Sequence, residues 1–129
     1  MPQPDPRRIV VIGPCASGKT SLTASLQRLG YDALACGQEH SEIADLWKHQ
    51  QPDVVIGLRI GLDTLRQRRS SDWPEALYHR QMARLECGFR NADLVIDSDR
   101  FDQDEVADQV LTWLKEHPGP HRGARPPSV

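Results

Sequence analysis

The stretch from Arg8 to Gly30 constrains this chain most. Residues 8–12, Arg-Ile-Val-Val-Ile, form a β-branched run with no polar alternation. That is the pattern of a short strand buried on both faces. Leu22, Leu26 and Leu29 then recur at helical spacing until Gly30, a residue that commonly ends a helix. Strands that alternate with helices, as they do from here along the chain, imply a parallel sheet covered on both faces.

Between strand and helix the chain reads Gly13-Pro14-Cys15-Ala16-Ser17-Gly18-Lys19-Thr20, followed by Ser21. This is G-x-x-x-x-G-K-[ST] in its required strand–turn–helix setting. Gly13 lets the chain leave the strand tightly. Gly18 allows backbone N–H groups to approach an anion with no Cβ in the way. The loop ends on a helix N-terminus, where free N–H groups and the helix dipole favour negative charge. Lys19 adds a point charge for β- and γ-phosphates, and the Thr20 hydroxyl is placed for Mg²⁺. Residues 13–21 are therefore the expected nucleotide-binding loop. Cys15 lies at the foot of the helix, either as a small loop-filling residue or as a redox-sensing thiol.

Further elements follow in alternation. Residues 32–36 and 54–60 read as a second and a third strand, with Gly57 or Arg59 as alternative ends of the third. Ser41 is expected to cap a short helix carrying Ile43, Leu46 and Trp47 inward until Pro52. Asp63 and Thr64 open a short helix through Arg69. A longer helix follows Trp73-Pro74 to about Arg90, with Tyr78, Met82, Leu85 and Phe89 on one face. Residues 94–96 form a fourth strand. Asp102 and Glu105 form an Asp-type capping box before a final helix with the stripe Val106, Val110, Trp113 and Leu114. The expected fold is α/β: about four mainly parallel strands with helices on both faces, spanning residues 8–117. Seven of the ten prolines fall in the first six or the last twelve residues. Residues 1–7 accordingly read as a flexible Pro-rich arm and 118–129 as a disordered tail.

Composition narrows the function. A chain of 129 residues forms one domain, with no room for a separate substrate domain. A net charge of -2 argues against general nucleic-acid binding. No run approaches a membrane span, and the beginning lacks a signal-peptide core. Three cysteines without metal-ligand spacing suit a reducing, cytoplasmic setting.

Charge is unevenly placed. Residues 59–90 hold seven of the 13 arginines and are net +3, whereas residues 91–116 are net -6. An Arg-rich helical stretch suits closure over polyphosphate, because guanidinium forks match phosphate oxygens. The alternative is a solvated helix surface. Ligands of open parallel sheets bind beyond the strands' carboxyl ends. Glu39, His40, Asp63, Asp97 and Asp99 fall at such ends, while Asp32, Asp53 and Asp93 sit at strand starts as turn or capping residues. Glu39 is the strongest candidate for a second acid, either holding Mg²⁺ through water or accepting a proton from an attacking hydroxyl.

On these residues the chain resembles the nucleoside and small-molecule kinases of the P-loop class, such as adenylate, shikimate and adenylylsulfate kinases. Besides residues 13–20, two segments are similar: Pro52–Leu58 with Leu65–Arg69, like the strand and Arg-helix leading into a lid, and Asn91–Asp97, like a last strand before a C-terminal helix. The resemblance implies ATP and Mg²⁺ as cofactors, phosphoryl transfer to a small acceptor, and charge screening by Arg66 and Arg69. It also implies a place for Arg100 beside the adenine. Only 16 residues run from Gly37 to Pro52, where nucleoside monophosphate kinases insert a substrate-binding segment. Two alternatives to a kinase remain: a slow NTPase switch or subunit, and a non-catalytic nucleotide-binding module. A core this small would also gain from burial in a homodimer.

Overall fold

The computed structural model describes residues 5–119; the rest of the Pro-rich arm and of the tail lies outside the described residues. Four strands form one all-parallel sheet: β1 (Arg8–Ile12), β2 (Asp32–Ala35), β3 (Val54–Arg59) and β4 (Leu94–Asp97), in the order β2-β1-β3-β4. The helices are α1 (Lys19–Arg28), α2 (Leu62–Arg68), α3 (Glu75–Asn91) and α4 (Gln103–Glu116). The α/β class expected from the alternation is the one observed.

The β-branched run of β1 becomes the centre of the molecule. Ile9, Val10, Val11 and Ile12 are all 0% exposed. Ile9 and Val11 face the side where α1 and α4 contribute Leu22, Leu26, Val106, Val110 and Leu114. Val10 and Ile12 face the other side, with Trp47, Leu85 and Phe89. Helices thus cover both faces, which explains why β1 shows no polar alternation.

The strand order has a consequence for the site. From β1 the chain steps one way to β2, whereas from β3 it steps the other way to β4. Such a reversal leaves a crevice at the carboxyl ends of β1 and β3, where ligands of open α/β sheets bind. At the opposite end, Asp53 Oδ2 accepts from Arg8 N and Asp93 Oδ2 accepts from Val55 N, each at 2.8 Å. These strand-start acids clamp neighbouring strands.

Three expectations need correction. No α-helix forms between Ser41 and Pro52: a 3₁₀ turn at Gln38–His40 precedes Ser41 and another stands at Leu46–Gln50. Ile43 is 52% exposed, although Trp47 is buried. The reason is Gln38, which is 0% exposed. Its amide donates to Ile43 O at 2.7 Å and accepts from Trp47 N at 3.1 Å, satisfying backbone groups that a helix would have paired. Leu29, counted in the α1 stripe, caps that helix and is 58% exposed. Arg7, placed in the arm by composition, is buried and donates to the carbonyls of Leu114 and His117 at the end of α4. The Asp102–Glu105 capping box is present with both of its hydrogen bonds.

β3 runs through Gly57 to Arg59, and α3 packs so closely on Gly57 that no side chain fits there. A Cβ there would lie 2.7 and 2.9 Å from two ring carbons of Phe89. Gly57→Ala should therefore destabilise the domain by about 1–3 kcal/mol through overpacking. Denaturant titration checks this, with Phe89→Leu in the same chain expected to recover part of the loss.

Candidate functional site

The Gly13–Thr20 loop leaves the carboxyl end of β1 and opens α1. A Cβ on Gly13 would meet Ser17 Oγ at 2.5 Å and the Leu58 carbonyl oxygen at 2.7 Å, so only glycine lets the loop pass the end of β3. Ala16 (φ 65°) and Gly18 (φ 98°) are left-handed. Alternation of left-handed with ordinary residues turns successive N–H groups into one concavity. Gly18 N-caps α1 without a side-chain bond, and no acid stands in the first turn, so no carboxylate of the helix itself offsets its positive end.

The loop is held from outside. Cys15 N donates to Gln81 Oε1 at 3.1 Å, from the buried face of α3. Arg68 donates to the carbonyls of Ala16 (2.9 Å) and Ser98 (3.0 Å), tying the loop to α2 and to the end of β4.

Lys19 Nζ donates to the Gly13 carbonyl at 2.7 Å and pairs with the Glu39 carboxylate. Their side chains are only 12% and 5% exposed. Glu39 arrives on the 3₁₀ turn after β2, fixed by buried Gln38 and by Arg84 Nη1, which donates to the Glu39 carbonyl at 3.3 Å. One oxygen, Oε1, is buried without a hydrogen-bond partner among the described residues. A carboxylate oxygen in that position carries unused acceptor capacity at a substantial desolvation cost.

Residues 14–21, Glu39, His40, Arg68, Arg69 and Gln103 line a hollow of about 650 Å³. A second pocket of about 290 Å³ shares Ala16–Gly18, Ser21, Arg68 and Gln103 with it and adds Leu22, Ser98, Phe101, Asp102 and Val106. The two adjoin at the shared residues, as a polar half over the loop and a more apolar half in which Leu22, Phe101 and Val106 stand beside Ser98 and Asp102. Thr20 and Glu39 both line the polar half. These are hard oxygen donors with space for water, a set that fits Mg²⁺.

Not every candidate converges there. Arg69 lines the hollow. Arg66 instead donates from Nε to the Trp73 carbonyl at 3.0 Å, bracing the turn between α2 and α3. Arg100 lies 3.7 Å from Asp97 with 79% of its side chain exposed, and it lines neither pocket. Phe101 is the residue beside the apolar half. Arg68 was not singled out from the sequence, where the kinase-like segment put Arg66 and Arg69 first; helical phase decides among them. Gln81 carried a readable signal, an amide beside Met82 on an otherwise apolar face of α3.

No protein-family model matches this sequence, and no curated protein matches it.

All three cysteines are free. Burial pushes the Cys36 thiol above its ordinary range, with Glu39 adding to the shift. Cys15 and Cys87 are half-buried, whereas Cys36 is 2% exposed. A thiol-reactive probe at neutral pH should label Cys15 and Cys87 in the folded protein and Cys36 only on unfolding. Mass mapping of the labelled peptides against time checks the order.

Proposed function

We propose that this protein binds Mg-ATP in the cleft and transfers its γ-phosphoryl group to a small acceptor. One observation carries the reading: the uncapped N-terminus of α1, Lys19, Arg68 and Arg69 gather around one hollow, against a single buried carboxylate. Positive groups of this kind suit a polyphosphate, and the carboxylate suits a proton acceptor.

In this account Lys19 and the loop N–H groups hold the β- and γ-phosphates, and the apolar half beside Phe101 takes the base. Thr20, with Glu39 through water, would hold Mg²⁺, which when bound neutralises charge between the phosphates. Arg69 screens the oxygens of the transferred group. The acceptor oxygen forms a bond to the γ-phosphorus while the bond to the ADP oxygen breaks. The acceptor's proton passes to Glu39 and then to solvent, and ADP leaves as the anion. The three free thiols support work in a reducing compartment. No helix among the described residues is long and apolar enough to cross a membrane.

ADP formation from Mg-ATP, screened against small alcohols, carboxylates and phosphates, tests the proposal. A matching acceptor should raise the rate at least about tenfold. Lys19→Ala should lower it by about 10²–10³ through lost charge stabilisation. Glu39→Gln should lose about 10²–10⁴ in turnover. A rate that no acceptor changes, with phosphate as the sole product, would contradict transfer and indicate hydrolysis.

A further inference from the structure

At the rim of the same hollow, Cys15, Glu39 and His40 bring three different ligand types together. One ligand atom from each residue lies within 4.8 Å of the others. Cys15 Sγ is 3.9 Å from His40 Nε2, and His40 Nε2 is 3.7 Å from Glu39 Oε2. A tetrahedral zinc ion with ordinary bond lengths needs sulfur and nitrogen about 3.6 Å apart, and nitrogen and oxygen about 3.4 Å apart. These two separations exceed those values by a few tenths of an ångström, and the third, between the Cys15 sulfur and the Glu39 carboxylate, lies within 4.8 Å, so closure on one ion needs rotamer adjustment at half-buried Cys15 as well as at exposed His40.

Two observations separate this group from a chance meeting of polar side chains. The first is the buried, unpartnered Glu39 Oε1. Lys19 engages Oε2, the oxygen 3.7 Å from His40, and Oε1 keeps acceptor capacity that no donor among the described residues uses and that a cation at the carboxylate can draw on. The second is the support behind each ligand. Gln81, 1% exposed, donates from Nε2 to Cys15 Sγ at 3.3 Å and accepts from Cys15 N, fixing the thiol from behind. Arg84 and Gln38 fix the turn that carries Glu39 and His40. Metal ligands are characteristically oriented by such outer partners.

We propose that Cys15, Glu39 and His40 form a binding site for a thiophilic divalent cation of the zinc class, which shares Glu39 with the proposed Mg²⁺ position but takes its sulfur and nitrogen donors from Cys15 and His40 in place of Thr20. Binding displaces the Cys15 thiol proton to solvent, and the neutral His40 imidazole donates its Nε2 lone pair. The carboxylate supplies a third bond. The fourth position faces the hollow, open to water or to an anionic ligand. Sulfur and nitrogen donors select zinc, whereas Mg²⁺ keeps to oxygen.

Cobalt(II) is the probe, because a thiolate on cobalt gives a charge-transfer absorption that nitrogen and oxygen ligands do not. The titration uses the full chain without nucleotide, so its result is independent of the proposed phosphotransfer. One equivalent of cobalt should produce the thiolate band in the wild type, in Cys36→Ser and in Cys87→Ser, and zinc should displace it. Cys15→Ser should abolish the band. His40→Ala, at a side chain 63% exposed and so without effect on packing, should weaken binding by at least about tenfold. A wild type without the band, a band that survives Cys15→Ser, or an affinity unchanged in His40→Ala would each overturn the site.

Discussion

The ammonium of Lys19 and the carboxylate of Glu39 are withdrawn from water together, and neither is stable there alone. Desolvation costs each ion several kcal/mol, and the Coulomb attraction offsets this only when geometry and further hydrogen bonds are right. The structure supplies those conditions from separate elements. The Gly13 carbonyl accepts from Lys19, and the turn after β2 delivers Glu39. That delivery depends on sheet register. Val11 pairs with Ala35, and Cys36 N donates to Val11 O at 2.9 Å, so the chain departs from β1 and β2 at nearly the same level. A slip of one residue would reverse the faces of β2 and carry Glu39 away from Lys19.

Charge is sorted along the sheet in the same way. Acids at the strand starts are consumed by structure, as Asp53 and Asp93 accept backbone N–H groups. At the carboxyl ends the strand-order reversal opens a crevice, and arginines of α2 reach it beside the positive end of α1. The cleft therefore gathers positive groups in a chain whose net charge is -2. The local arrangement decides what can bind there, and the net charge does not.

Much of the fold was legible in the sequence because its strongest signals are local. A continuous β-branched run became the central strand, and an Asp–Glu capping box began α4. The segment from Gln38 to Gln51 was not legible. Ile43, Leu46 and Trp47 have helical spacing, yet the amide of Gln38 satisfies the backbone groups and leaves Ile43 in water. A buried polar side chain acting over nine residues leaves no periodic trace. The loop and Glu39 were found from chemistry and strand ends, and the structure brings them together. Arg68 and Gln81 were missed because their roles depend on helix orientation, which neighbouring arginines and apolar residues do not reveal.

The central claim is that the Gly13–Thr20 loop, armed with Lys19, takes a nucleotide polyphosphate. The most direct measurement is the thermal unfolding midpoint of the wild type and of Lys19→Ala, each with Mg-ATP, phosphate or sulfate. At 100 times its dissociation constant, a ligand stabilises by about 2.7 kcal/mol, a shift of several degrees for a domain of this size. The account predicts that shift for Mg-ATP in the wild type and its loss in Lys19→Ala. A wild type that Mg-ATP moves no further than phosphate or sulfate does would contradict it.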